Sequence, residues 1–241
     1  MLEGGRVLAE DKVVWLPPLE VGTVIALGIN YAAHSCELAQ ELTLSASDAS
    51  KPGARDQPLA FLKAPNTLIG HRGFTRRPSG TAFMHCECEL AVVIGCTAKR
   101  VARQDAMACV AGYTVANDYA VRDYLENRFR PNLRVKNRNG CTALGPWLVD
   151  AADVPEPHAL ALRTLVNGTL VQSGNTRDLI EDIAALIEYL SGFMTLQAGD
   201  VILTGTPEGV VNVNPGDEVV CEIDGIGRLV NTLVGDAVFG R

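Results

Sequence analysis

Residues 84 to 95 read MHCECELAVVIG, and residues 110 to 136, after a short amphipathic link, read VAGYTVANDYAVRDYLENRFRPNLRVK. The first stretch opens with strict two-residue alternation, the period of a β-strand. On such a strand Glu87 and Glu89 share one face, while Cys86, Cys88 and Leu90 take the other. Two carboxylates side by side on one face repel each other, and a divalent cation compensates them. Oxygen-only ligation favours magnesium, manganese or calcium over zinc. Asp118 closes the apolar run AGYTVAND, and strand ends commonly present a site. Glu87, Glu89 and Asp118 are therefore the candidate metal ligands. Cys86 and Cys88 offer a rival zinc pair, but the alternation points them away from the carboxylates.

Outward from this centre the chain is rich in strands. GRVLAEDKVVWL (5 to 16) reads as a β-hairpin turning near Glu10-Asp11 and stopped by Pro17-Pro18. VGTVIALGI (21 to 29) is a short apolar strand running into NYAAHSCELAQE, a helical turn on which His34 and Glu37 share a face. Spacing alone reads that pair as a solvated helical turn with an incidental ion pair. Residues 41 to 57 are small, polar and Pro/Gly-containing, hence a loop or lid. A strand carrying Lys63 and a turn at Pro65-Asn66 follow.

Further along, RQDAMACVAG (103 to 112) has helical spacing, and GPWLV (145 to 149) reads as a strand. LALRTLVNGTLVQSGNT turns at Asn167-Gly168, the strongest hairpin signal in the chain. Asp178, with Glu181 three residues on, is the expected cap of a helix with an apolar stripe of Leu179, Ile183, Leu186, Ile187, Leu190 and Met194. AGDVILTGTPEGV is a strand ending in a Gly-Thr-Pro-Glu-Gly turn, without the Lys-Ser/Thr of a nucleotide loop. GDEVVCEIDGIGRLVNTLV is a hairpin turning near Asp224-Gly225. Many strands, few helices and no regular βαβ alternation predict a mostly β, mixed α+β domain.

The segment from Arg122 to Arg138 holds Arg122, Arg128, Arg130, Arg134, Lys136 and Arg138 against Asp123 and Glu126. The whole chain of 241 residues carries a net charge of -7, so this reversal is local. It directly follows Asp118 and suits an anionic substrate, because three carboxylates exceed one divalent ion and extra positive charge is needed nearby. The acidic balance argues against a general nucleic-acid binder. Seven cysteines with no CxxC pair read as mostly reduced thiols in a cytoplasmic protein. Acids early in the N-terminal stretch argue against a secretory signal. No apolar run is long enough for a membrane span.

The segments ALGINYAAHSCEL, FLKAPNTLIG, HCECELAVVIG, AGYTVANDYAVRDYL and GDVILTGTPEGV, in this order, resemble the fumarylacetoacetate hydrolase superfamily from about Gly22 to Val234. The resemblance implies a mixed-sheet β-roll of that family's C-terminal domain type over residues 21 to 241, with residues 1 to 20 as an N-terminal hairpin segment. It implies a Mg2+ or Mn2+ ion on Glu87, Glu89 and Asp118, and it assigns His34, Glu37 and Lys136 to catalysis. Lys63, Arg122 and Thr206 fall at positions resembling substrate-binding ones. Cys86 stands where the family often has an aromatic residue, and Cys88 is an unusual residue between two ligands.

What the resemblance implies about activity is narrower still. The likeness is greatest to family members of 4-hydroxyphenylacetate (homoprotocatechuate) breakdown, which decarboxylate 5-oxopent-3-ene-1,2,5-tricarboxylate and isomerise 2-hydroxyhepta-2,4-diene-1,7-dioate through a metal-stabilised enolate. The partner expected is thus a small anionic 2-oxo or 2-hydroxy-dienoic acid, with a homodimer, or a pairing with a paralogous partner subunit, as the assembly. The alternatives are a C–C bond hydrolase of acylpyruvates or 1,3-diketo acids, an oxaloacetate decarboxylase, and a metal-stabilised binding protein whose site has decayed.

Overall fold

The computed structural model describes residues 9–33, 57–125 and 132–236. Among these, fourteen strands run in chain order: β1 Val24–Gly28, β2 Leu59–Lys63, β3 Leu68–Ile69, β4 Phe74–Arg76, β5 Met84–His85, β6 Cys88–Ile94, β7 Val110–Asp118, β8 Ala120–Val121, β9 Thr142–Asp150, β10 Ala161–Val166, β11 Thr169–Asn175, β12 Val201–Leu203, β13 Glu218–Ile223 and β14 Gly227–Val234. A seven-stranded sheet has the order β2-β1-β12-β6-β7-β9-β3, and a five-stranded sheet the order β11-β10-β13-β14-β4. Both are mixed, since β1 with β12, β3 with β9 and β4 with β14 pair in parallel. The mostly β, mixed-sheet fold expected from the sequence is the one found.

The larger sheet closes on itself. Its two edge strands, β2 and β3, are consecutive in the chain and joined only by Ala64 to Thr67, three of which form a 3-10 turn. The sheet must therefore curl until its edges meet, giving a roll. Alternation then sorts side chains to its inside and outside. Val24, Ala26, Ala91, Val93, Ala116, Leu144, Val201 and Leu203 pack together on one face, joined by Phe61 and Leu68. These are mostly small, as the interior of a narrow roll requires. Ile25, Leu27, Cys88, Leu90, Val92, Ile94, Tyr113 and Val115 take the other face and pack on the five-stranded sheet through Val219, Cys221, Leu229 and Leu233. Strands buried on both sides explain why VIAL and LAVVI are unbroken apolar runs.

The helix Ile183–Phe193 closes one flank of this outer core through Ile183, Leu186, Ile187 and Leu190. It starts later than the sequence predicted. Asp182, not Asp178, is its cap and accepts from the Ala185 N–H at 2.8 Å. Thr176–Asp178 form a 3-10 turn capped by Asn175 instead. The backbone of Ile180 and Glu181 is drawn away to Asn30, so a helix cannot run through it.

Two other expectations are corrected. Residues 5 to 8, in the first arm of the expected N-terminal hairpin, lie outside the described residues; of the rest, Glu10–Lys12 make a 3-10 turn where the hairpin turn was expected and Val13–Leu16 join no ladder. Side chains and a close backbone approach hold this segment instead. Glu10 contacts His71 at 3.1 Å and Arg72 at 2.7 Å, and a Cβ at Gly70 would meet the Trp15 carbonyl at 2.2 Å. The expected continuous strand from Met84 is also broken, at Cys86-Glu87. There the chain changes sheets, with β5 pairing with β8 and β6 with β7. The hairpins at Asn167-Gly168 and Asp224-Gly225 form as read, the former with positive φ at both turn residues.

Candidate metal centre

The register of β6 against β7 makes the acidic cluster. Cys88 pairs with Asn117 and Glu89 with Ala116, so Glu87 falls opposite Asp118 across the hairpin. The Asp118 N–H donates to the Glu87 carbonyl at 3.0 Å, and the Glu87 N–H to Asn117 Oδ1 at 3.0 Å. Glu89, two residues along, shares their face, which is the inside of the roll. One ligand atom from each of Glu87, Glu89 and Asp118 lies within 4.8 Å of the others, and all three residues are buried. At about 5 Å and an effective dielectric of about 20, each like-charged pair costs about 3 kcal/mol. Such a cluster needs cations.

Two come from lysines of the chain. Lys136 ends the one-turn helix Leu133–Lys136 and donates to Glu87 Oε2, and to the Asp118 carbonyl and Oδ2 at 3.0 Å each. Lys63, the last residue of β2, donates to Asp118 Oδ1 at 2.5 Å and to the Lys136 carbonyl. Burial alone would push Asp118 up, but Lys136 and then Lys63 outweigh it and hold the carboxyl below its ordinary value. Glu89 has neither lysine as a hydrogen-bond partner. Burial, followed by the charges of Asp118 and Glu87, pushes it well above the carboxylate range. With Glu89 ionised, three carboxylates face two ammoniums. A hard divalent cation would hold Glu89 in that form, suits the all-oxygen donors and the spacing, and would leave one positive charge for an anionic ligand.

The rest of the site is brought by the turn after β12. Leu203 pairs with Ala91, so the next residues run beside Leu90 and Glu89. Thr204 donates its N–H to the Leu90 carbonyl at 3.1 Å, and the Gly205 N–H donates to Glu89 Oε2 at 2.6 Å. Gly205 has φ 93°, and a Cβ there would meet Asn30 Cβ at 3.0 Å, so the turn requires glycine. Asn30 braces the turn from behind. Its Nδ2 donates to the carbonyls of Thr204 at 2.9 Å and Glu181 at 3.0 Å, and its Oδ1 accepts from the Glu181 N–H at 2.9 Å.

The structure thus unites Glu87, Glu89, Asp118, Lys63 and Lys136. Arg122 reaches the cluster through one residue: its Nε donates to His85 Nε2 at 2.6 Å, and that nitrogen is 3.3 Å from Glu87 Oε1. Thr206 is buried, and its hydroxyl accepts from Gln172 Nε2 at 2.9 Å. His34 and Glu37 lie outside the described residues, as do Arg128 and Arg130. Sequence reading missed Asn30, His85, Gly205 and Cys141. Only the Gly-Thr-Pro-Glu-Gly turn carried a signal, in its glycine beside a strand end.

The chain matches the model of the fumarylacetoacetate (FAA) hydrolase C-terminal family over residues 23–234. It is 54% identical over 234 residues to the 4-hydroxyphenylacetate degradation bifunctional isomerase/decarboxylase of Salmonella dublin, covering 95% of this chain and 52% of that protein. The chain therefore spans about half the length of that relative. Among solved structures, the 2-hydroxyhepta-2,4-diene-1,7-dioate isomerase from Mycobacterium marinum superposes with a TM-score of 0.80 at 33% identity, over 99% of this chain and 83% of that one. The fumarylpyruvate hydrolase from Pseudomonas aeruginosa, in complex with Mn2+ and pyruvate, gives 0.79 at 31% identity, over 90% and 91%.

Proposed function

This chain belongs to the fumarylacetoacetate hydrolase C-terminal family, and from that premise we propose that it is a divalent-metal-dependent decarboxylase and isomerase of 4-hydroxyphenylacetate breakdown in the cytoplasm. Its substrates on this reading are 5-oxopent-3-ene-1,2,5-tricarboxylate and 2-hydroxyhepta-2,4-diene-1,7-dioate. The observation that carries the reading is the buried cluster of Glu87, Glu89 and Asp118 with Lys136 against two of them, inside a roll of this family. The likeness to a bifunctional isomerase/decarboxylase at 54% identity supports the choice of reaction.

Glu87, Glu89 and Asp118 would hold magnesium or manganese, and the ion would supply Lewis-acid polarisation of a 2-oxo acid at the carbon next to its carboxylate. The chain's own groups do the remaining work. Lys136, its side chain 8% exposed, would orient the acid and hand a proton to or from the reacting carbon. His34, polarised by Glu37, is the proposed general base for steps that need one. Arg122 and its basic neighbours take the remote carboxylates, and Thr206 contributes a substrate contact at the wall beside Glu89. A homodimer, with or without a paralogous subunit, is the proposed assembly.

The test is CO2 release from the tricarboxylate by chelator-stripped protein, with and without added Mg2+, alongside loss of diene absorbance from the dioate. Ion-dependent turnover of either is expected. Turnover of acylpyruvates alone would replace this reading with C–C hydrolysis.

A further inference from the structure

The seam that closes the roll brings Lys63 against two residues of the metal centre. We propose that Lys63 is a positioning residue, which holds Asp118 and the backbone of Lys136 in one grip and does not touch substrate. The proposal rests on the preceding reading only for its kinetic consequence.

An ammonium group has three N–H donors. Three acceptors meet that of Lys63: Asp118 Oδ1 at 2.5 Å, the Lys136 carbonyl, and Cys141 Sγ at 3.6 Å. Its side chain is 0% exposed. A substrate could reach it only by displacing one of these partners and opening the seam. Lys136 is engaged differently. Two of its acceptors, Glu87 Oε2 and Asp118 Oδ2, are carboxylate oxygens of the triad, so a cation competing for them would release its protons toward a ligand. The Lys136 carbonyl and Cys141 are not among the candidate ligands, so those partners of Lys63 would remain with a cation bound.

The grip on Lys136 is built from several sides. Cys141 Sγ donates to the same Lys136 carbonyl at 3.1 Å. Asn137, the next residue, accepts from the Ala64 N–H at 2.6 Å and donates to the Leu62 carbonyl at 3.2 Å, on either side of Lys63. Residues 62 to 64 and 136 to 137 are therefore one hydrogen-bonded unit, and Lys63 ties that unit to Asp118. Loss of Lys63 frees Asp118 Oδ1 to swing and lets Lys136 drift, while leaving every other ligand in place.

The experiment compares wild type, Lys63→Met and Lys63→Gln. Chelator-stripped proteins are loaded with Mn2+, its EPR spectrum is recorded, and kcat and KM are measured for both substrates. A changed Mn2+ line shape in Lys63→Met, with kcat down at least about tenfold and KM within about twofold, is the result expected. An unchanged line shape with KM raised about tenfold would make Lys63 a substrate contact and overturn the proposal, and so would a variant unchanged in every readout. Lys63→Gln keeps two N–H donors and carries the same readouts if the methionine variant does not fold. Should wild type turn over neither substrate, the functional reading fails, while the Mn2+ spectrum still decides the role of Lys63.

Discussion

Asn30 and Thr204 stand 174 positions apart in the chain, yet Asn30 Nδ2 donates to the Thr204 carbonyl at 2.9 Å. Through that bond a side chain just after β1 sets the turn whose next N–H holds Glu89. Asn30→Ala leaves the Thr204 and Glu181 groups without their partner, at a cost of about 2–3 kcal/mol. The expected thermal shift is roughly 5–10 °C downward for a chain of this size. Mn2+ affinity, measured by calorimetric titration, should fall with it. An unchanged affinity beside a lowered Tm would mean that the turn holds Glu89 unaided.

Metal removal should leave the fold standing, because Lys63 and Lys136 already offset most of the acidic charge. Stripped protein is expected to melt cooperatively and to gain stability on adding Mg2+ or Mn2+. At about a hundredfold excess over Kd the gain is about 2.7 kcal/mol. Asp118→Asn should abolish that gain in the same melts. A full metal-induced shift in this variant would remove Asp118 from the ligand set.

Arg122 gives a prediction that separates binding from chemistry. If its guanidinium holds a remote carboxylate, Arg122→Gln removes a charge-assisted bond of about 1.5–3 kcal/mol, and KM rises roughly tenfold or more. The value of kcat should stay within about threefold. A collapse of kcat at constant KM would show that Arg122 acts through His85 and Glu87 instead.

The centre of the site was legible because its two determinants are local. Alternation puts Glu87 and Glu89 on one face, and an apolar run ending in Asp118 reads as a strand end. The antiparallel register then makes them neighbours. Lys63 was found only through family likeness, because its partner lies 55 positions away across a closure that no periodicity announces. Asn30 was passed over for the same reason. The helix start was misplaced because Asp178 with Glu181 mimics a capping box. Local pattern could not reveal that Asn30 would claim the backbone of Ile180 and Glu181.

The true cap makes a pH prediction. Burial pushes Asp182 up, but the Ala185 N–H and Arg103 outweigh it and hold the carboxyl below its ordinary value of 3.8. A lowered folded pKa means stability that is present above the ordinary value and lost as pH falls through the folded one. Asp182→Ala should cost about 1 kcal/mol at pH 7. Its exposed ion pair with Arg103 adds little. In urea melts the gap to wild type should hold down to about pH 4 and then close. A gap independent of pH would assign the effect to packing alone.

Ala64 to Thr67, the short link from β2 to β3, also governs which changes of length the protein tolerates. Side chains on a strand reverse face with every residue of slip, so one residue added before Lys63 turns its ammonium out of the interior. One added after it lengthens the tie that draws the two edges together. The exposed tip at Asn167-Gly168 has neither burden, with nothing within 4 Å of a Cβ at Gly168. A scan of single-glycine insertions should therefore be lethal to Mn2+ binding at the link and silent at the tip. Across relatives, the link is expected to keep its length while the tip drifts.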